Sequence, residues 1–325
     1  MRRFIGLLMR ALCIAFCVLS GSVFAQGYPA KTVRWIVPFP AGGGTDIIAR
    51  TLAQKMTEAW GQQVIVDNRP GSGGTLGLAT AAKSPADGYT LVLAQTANVV
   101  LAPAVYAKLP YDPQTDLAPV TLVLSTPFVL VAHPSVPAKN ARELVALARA
   151  RPDDLSFGSS GNGTMSHLAG EMIKTMAGVR LLHVPYKGVP LATADLYSGR
   201  IALYVSPIPP MLAPVKDGRL RAIGVTGTQR SNAFPGVPTL AESGLPGYEA
   251  TNWYGAMVPA RTPRDIVAKL NTELTRILQL PDVKGRFQDE GGEVTPTPPE
   301  QFAAFIAREL PKWAKIVKAS GARVD

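Results

Sequence analysis

The 325-residue chain has two cysteines, Cys13 and Cys17, and both fall in its first 25 residues. The rest of the chain can form no disulfide, thiol nucleophile or thiolate metal site, so it must rest on a large hydrophobic core. Basic residues outnumber acids by 33 to 23, yet nowhere do five or six Lys and Arg stand together. A nucleic-acid face would cluster its basic residues with aromatics between them, so no nucleic-acid partner is expected. The histidines His133, His167 and His183 stand apart, with no HExxH or other paired-ligand spacing. Each reads as a packed or surface residue, and no metal or other cofactor is expected. After residue 25 no apolar run is long enough to cross a membrane.

The amino-terminal segment contains what those absences leave room for. Arg2, Arg3 and Arg10 make a basic start, Leu12 to Val23 are mostly apolar, and Val23-Phe24-Ala25 ends on small residues. This is the pattern of a cleavable signal peptide over residues 1–25, with a mature chain from Gln26 exported to the periplasm. Neither cysteine follows the small residues a lipoprotein cleavage site requires. Removing three arginines lowers the formal charge from +10 to +7. A mildly cationic surface suits an exported protein that collects anions.

Strand and helix patterns alternate through the remainder. Apolar β-branched runs predict strands at 33–37, 63–67, 90–95, 119–124, 127–132, 155–158, 181–184, 201–206, 220–225 and 254–258. Helical spacing predicts helices at 45–60, 74–83, 140–150, 164–177, 188–198, 207–216, 263–279, 281–289 and 299–319. Such alternation implies an α/β fold, with mostly parallel sheets flanked by helices. Thr297 followed by Glu300 resembles a capping box, Pro311 should kink the last helix, and Gly218 suits a helix end. Apolar segments near 122–130 and 251–258 read as two crossings between lobes. The expected division is 26–124 plus 252–325 for one lobe and 125–251 for an inserted second, forming a hinged clamp around a ligand cleft.

Two loops carry candidate chemistry. Val33–Val37 runs into Pro38-Phe39-Pro40-Ala41-Gly42-Gly43-Gly44-Thr45-Asp46, a strand, a glycine turn and a helix start. Backbone N–H groups there can approach a bound group closely, and the helix dipole favours an anion. No P-loop lysine is present and no Gly-x-Gly-x-x-Gly is completed, so a nucleotide is poorly supported. Asp46 lies in the first helical turn, where it can cap the helix or accept the loop's N–H bonds. The second loop is Gly158-Ser159-Ser160-Gly161-Asn162-Gly163-Thr164. It lacks the Gly-x-Ser-x-Gly spacing of a nucleophile elbow, and His167, one helical turn onward, is poorly placed as a base. Segments 68–74 and 95–98 also follow strands, and ligands of open α/β sheets lie beyond strand carboxyl ends.

In this order the motifs resemble the Bug-type periplasmic receptors of the tripartite tricarboxylate transport family. The marks are 37–46, 68–74, Asp87-Gly88-Tyr89-Thr90-Leu91, Lys108-Leu109-Pro110-Tyr111-Asp112, 158–164, Val184-Pro185-Tyr186-Lys187-Gly188, Pro235-Gly236-Val237-Pro238-Thr239 and Trp253-Tyr254-Gly255. The resemblance covers essentially the whole mature chain. It implies a two-lobed Venus-flytrap fold of the type II periplasmic binding proteins, no catalysis, and a small carboxylate ligand delivered to a membrane permease. It also implies that the two glycine loops hold the carboxylate from opposite lobes. The expected ligand-binding residues are Phe39, Ala41, Gly42, Gly43, Thr45, Asp46, Thr96, Asn98, Ser159, Ser160, Gly163, Thr164 and Ser206, in a protein expected to be monomeric. The family usually reads Val-Asp after the glycine at this point, whereas this chain, Gly199-Arg200-Ile201-Ala202-Leu203-Tyr204-Val205-Ser206, has Ala202 in place of the acid and Ser206 where a second acid is frequent. A pocket without those acids is expected to prefer an acid that lacks an ammonium group. A sensor subunit presenting a ligand to a membrane protein, or an exported enzyme acting on a small acid, are the alternatives.

Overall fold

The computed structural model describes residues 27–289 and 291–323. The expected signal peptide at 1–25 lies outside the described residues. In chain order the strands are β1 (Val33–Val37), β2 (Val64–Asn68), β3 (Thr90–Gln95), β4 (Leu117–Ala132), β5 (Ser156–Ser159), β6 (Leu182–Pro185), β7 (Leu203–Pro207), β8 (Arg221–Val225), β9 (Thr251–Pro259) and β10 (Glu293–Val294). The helices are α1 (Gly44–Trp60), α2 (Thr75–Ala82), α3 (Ala102–Val105), α4 (Ala141–Ala150), α5 (Met165–Ala177), α6 (Val189–Tyr197), α7 (Leu212–Lys216), α8 (Leu240–Ser243), α9 (Arg264–Leu278), α10 (Pro281–Asp289) and α11 (Pro299–Ser320).

Hydrogen bonding links the strands continuously, but β4 divides them. Its first part, Leu117–Pro127, pairs with β9, and β10 pairs at Leu124 and Ser125; its second part, Phe128–Ala132, pairs with β7 and β8. One set runs β2-β1-β3-β9-β4, with β1 to β3 parallel and β9 antiparallel to β3. The other has β7, β5 and β6 mutually parallel, with β4 antiparallel to β7. Both sets are mixed, not mostly parallel as expected, because β9 and the shared strand β4 run antiparallel to their neighbours.

Interior strands are apolar on both faces because helices cover both. In β1, Val33, Trp35, Ile36 and Val37 are fully buried. Helix α1 then places Ile48, Leu52 and Met56 against that sheet at four-residue spacing. It stops at Gly61, whose φ of 64° closes the last turn in a left-handed conformation. Helix α11 buries Phe302, Ile306, Trp313, Ile316 and Val317, and the core this helix joins includes residues of both strand sets.

Three sequence expectations are corrected. The strands expected at 119–124 and 127–132 are one, because Pro127 falls where β4 exchanges partners and its missing N–H breaks no ladder that both sides need. At that exchange the buried Thr226 hydroxyl accepts from the Phe128 N–H at 2.7 Å and sits 2.6 Å from the Ala250 carbonyl, stitching both crossings together. The helix expected at 207–216 is a 3₁₀ turn at Pro209–Met211 followed by α7, since Pro207, Pro209 and Pro210 deny it a continuous hydrogen-bond ladder. Thr297 does not cap α11, whose first position is preceded by Pro298; its N–H donates to the Thr121 hydroxyl and its own hydroxyl accepts from Leu122. The capping box lies elsewhere, between Thr239 and Glu242. Helix α11 contains Pro311 within its span, and Ala307, whose carbonyl loses its partner there, is exposed to water. Gly218 does follow α7, with a φ of 72°.

Candidate functional site

The carboxyl ends of both strand sets point toward the crossing. The last residue of β3, Gln95, pairs with Tyr254, which also faces Leu124; the last residue of β7, Pro207, pairs with Phe128. The loop after β1 and the loop after β5 therefore emerge toward each other's lobe, each opening a helix.

The β1 loop is organised by one buried carboxylate. Asp46 is only 3% exposed. Its Oδ2 accepts from the Gly42 N–H at 2.9 Å and from Arg50 Nε at 2.8 Å, while Oδ1 accepts from Asn68 Nδ2 at 2.9 Å. The same Asn68 nitrogen reaches the Phe39 carbonyl at 3.1 Å. The Arg50 hydrogen bond, with those from Gly42 and Asn68, outweighs burial and brings the carboxyl down from 3.8 to about 2. Asp46 thus faces the loop rather than a ligand, and Gly42's amide is engaged with it.

What the loop leaves open are the N–H groups of Gly43, Gly44 and Thr45, which have no acceptor among the described residues. Gly42, with φ 83°, needs glycine for its conformation. Gly43 does not: its φ is −83°, and a Cβ there would meet only the Pro40 carbonyl, at 3.7 Å. At Gly44 a Cβ would meet nothing within 4 Å. Bare backbone at these two positions is required neither by conformation nor by packing within the chain.

Removal of the Asp46 carboxylate by Asp46→Ala is expected to cost about 2 to 3 kcal/mol, the worth of charge-assisted bonds that lose their shared acceptor. A carboxyl held near 2 instead of 3.8 contributes fully above about pH 4 and loses its contribution as pH falls through about 2. Urea melts should therefore show the gap between wild type and variant at pH 7 closing between pH 4 and 2. Equal stabilities at pH 7 would overturn this role.

Asn98 and Phe39 come together beside the β1 loop. A Cβ on Gly74 would lie 2.7 Å from Asn98 Nδ2 and 3.1 Å from Phe39 Cζ, so these three residues are in contact. Asn98 is fully buried; its Oδ1 accepts from the Gln95 N–H at 2.9 Å, and its Nδ2 has no acceptor. Thr96 has a different task, for its hydroxyl accepts from the Trp253 N–H at 2.9 Å and ties β3 to the crossing strand.

The β5 loop is built on side chains that the sequence pattern does not connect. Thr164 caps α5, accepting from the His167 N–H and donating to the Gly161 carbonyl at 2.7 Å. The Gly163 N–H donates to His167 Nδ1 at 3.1 Å. A backbone N–H can only donate, so Nδ1 is unprotonated and neutral His167 carries its proton on Nε2. His167 stacks on His183 with ring centroids 3.9 Å apart and planes 10° apart, and His183 stacks in turn on Phe157. Burial, reinforced by the Lys174 charge, pushes both imidazoles from 6.5 down to about 4.

Ser159 lies 2.7 Å from His183 Nε2, a pairing invisible in the sequence because the register of β5 on β6 sets it. It is not presented as a nucleophile. Ser159 is fully buried, and its hydroxyl also lies 3.2 Å from both the Gly161 N–H and the Gly161 carbonyl. Nearby, Ser160 faces Ser166 at 3.3 Å. Tyr204 and Ser206 are fully buried, and the Tyr204 hydroxyl sits among those of Ser160, Ser166 and Ser206. Ser206 sits at the carboxyl end of β7, whereas Ala202 precedes the strand at its other end, roughly 13 Å away at strand spacing. An acid at 206 would stand beside the partner exchange in β4; one at 202 would not.

Among the described residues no group of three or more His, Cys, Asp and Glu side chains is placed to hold a metal ion, and no helix is long and apolar enough to cross a membrane.

A family model described as the tripartite tricarboxylate transporter family receptor matches residues 48–322. The chain is 36% identical to protein BugT of Bordetella pertussis, over 96% of each chain. Among solved structures it is similar to R. palustris Rpa4515 with adipate, at 34% identity over 91% of this chain and 100% of that one, with a TM-score of 0.75. It is also similar to MatC of Rhodopseudomonas palustris with bound malate, at 32% identity over 89% and 100% of the two chains, with a TM-score of 0.70.

Proposed function

The chain belongs to the tripartite tricarboxylate transporter receptor family, and on that premise we propose that it is a periplasmic receptor that captures a small carboxylate between its lobes and hands it to a membrane permease. The observation that supports this reading most directly is the pair of opposed loops, one of which presents the unpartnered amides of Gly43, Gly44 and Thr45 at the start of a 17-residue helix. A helix amino terminus with open N–H groups suits a carboxylate, and a mildly cationic chain draws anions toward it.

In this reading Gly43, Gly44 and Thr45 take one carboxylate and Asn98 Nδ2 donates beside them. Ser160 and Ser206 offer hydroxyls from the lobe formed by 125–251. Phe39 and Ala41 border the entry. Gly42, Asp46, Thr96, Ser159, Gly163 and Thr164 shape the loops through bonds to the protein itself. No catalytic step is proposed: the one serine bonded to a histidine beside the loop is buried, and the protein acts as a monomer that binds and releases.

The absence of an acid at Ser206 leaves nothing there to neutralise an ammonium group, so a dicarboxylate is the favoured ligand class over an amino acid. Relatives bound to adipate and malate carry ligands of that class. Calorimetric titration of the mature chain with C4 to C6 dicarboxylates, aromatic monocarboxylates and acidic amino acids tests it. Micromolar binding of a dicarboxylate, about −8 kcal/mol, with acidic amino acids at least tenfold weaker, is the expected result. Binding of amino acids alone would overturn it.

A further inference from the structure

At the crossing of the lobes lies a second cavity, of about 180 Å³, that shares none of the residues assigned to the carboxylate. Ser125 and Pro127 of β4, Thr251 and Trp253 of β9, Glu293 and Thr295 around β10, Phe305 of α11, and Gly227 to Gln229 with Glu249 line it. Ser125 and Pro127, at the end of the first part of β4, thus share the cavity with Gly227 to Gln229, which follow β8. At about 30 Å³ per water, the space suits a molecule of roughly six heavy atoms.

The lining is chemically unlike that of the carboxylate loops. Two aromatic rings, Trp253 and Phe305, meet edge to face at 5.7 Å. Two half-buried carboxylates, Glu249 and Glu293, accompany them in a chain of net positive charge. Glu249 has Lys312 at 4.0 Å, but Lys312 is held more closely by Glu309, at 2.8 Å. No cation of the protein faces Glu293 among the described ion pairs, and burial alone pushes its carboxyl above the ordinary value. Trp253 is fully buried, and its indole N–H has no acceptor. Aromatic rings beside a carboxylate with no cation of its own are surroundings that recognise an ammonium group. Protein groups leave the negative charge here in excess.

We propose that this hinge cavity binds a short aliphatic amine, its ammonium groups on Glu293 and Glu249 and its alkyl chain against Trp253 and Phe305. The site is independent of the carboxylate reading. The probe is 1,4-diaminobutane, titrated calorimetrically into the mature chain at fixed ionic strength, with 1,4-butanediol as the uncharged match. Saturable one-to-one binding of the diamine, none of the diol, and at least tenfold weaker binding by Glu293→Gln are expected. The Gly43→Val variant should bind the diamine as wild type does, so that failure of the carboxylate site and failure of this one are separable. No saturable heat up to about 10 mM, which bounds the affinity near −3 kcal/mol, would overturn the site. So would unchanged diamine affinity in a folded Glu249→Gln, Glu293→Gln double variant, or equal binding of the diol.

Discussion

Gly43→Val is expected to weaken carboxylate binding at least a hundredfold while leaving the melting temperature within a few degrees of wild type. The reasoning separates two glycines that are neighbours in sequence. Gly43 is the N-cap of α1, with φ −83° and ψ 168°, a conformation valine adopts readily. A Cβ there meets only the Pro40 carbonyl, at an ordinary 3.7 Å, and no side-chain cap exists to lose. Valine is a poorer N-cap than glycine, and the change should cost on the order of 1 kcal/mol. Its two methyl groups, however, would stand where a carboxylate must approach the amides of Gly44 and Thr45. Losing two charge-assisted bonds, each about 1.5 to 3 kcal/mol, amounts to a hundredfold or more in affinity. Gly42→Val is the contrasting control. At φ 83° a branched side chain strains the backbone, so that variant should lose stability first. Calorimetry of the most tightly bound dicarboxylate, beside thermal melts, reads both. A Gly43→Val protein that binds within threefold of wild type would remove the β1 loop from the site.

Much of this loop was legible before any coordinates. A β-branched run, three glycines and helically spaced Ile48, Leu52 and Met56 announce a strand, a turn and a helix, each by local rules. Even the alternative role of Asp46, as acceptor for its own loop, followed from its place in the first turn. The long strand β4 was less legible, because Pro127 ordinarily ends a strand and only a change of partners on both edges makes it harmless. The capping box at Thr297 failed for the opposite reason: the local pattern was present, but Thr121 and Leu122, some 175 residues earlier, compete for the same hydroxyl and amide.

Least legible were the histidines. His167 and His183 lie on different elements, and their contact depends on β6 aligning His183 with Phe157. Periodicity records which face a residue takes within its own element. It carries nothing about the register between elements, and register is what turns two isolated histidines into a stacked pair beneath a loop. The same limit hid the Ser159–His183 bond and the hydroxyl group of Ser160, Ser166, Tyr204 and Ser206. Local chemistry found the loops; long-range packing assigns the work within them.

That packing leads to the second large effect. His167→Leu is expected to weaken carboxylate binding tenfold or more at pH 7, whereas His167→Asn should stay within a few-fold of wild type. The Gly163 N–H donates to His167 Nδ1, so leucine leaves that amide without its acceptor, at a cost of about 1 to 3 kcal/mol concentrated in the β5 loop. Asparagine's carbonyl oxygen can take the same bond. The two variants should also separate in their pH dependence. Both imidazoles titrate near 4 in the folded protein against an ordinary 6.5, mainly because burial disfavours the charged form. Between those values the unfolded chain binds more protons than the folded one, so stability is whole above about pH 6.5 and falls as pH drops toward 4. Removing His167 removes one of the two groups responsible and also the neighbour whose charge His183 opposes. The asparagine variant should accordingly lose less stability than wild type between pH 7 and pH 4.5, while keeping its affinity at pH 7. A leucine variant with wild-type affinity would show that the loop's geometry does not depend on this bond. An asparagine variant whose stability falls with pH as steeply as wild type would show that the buried pair is not what titrates.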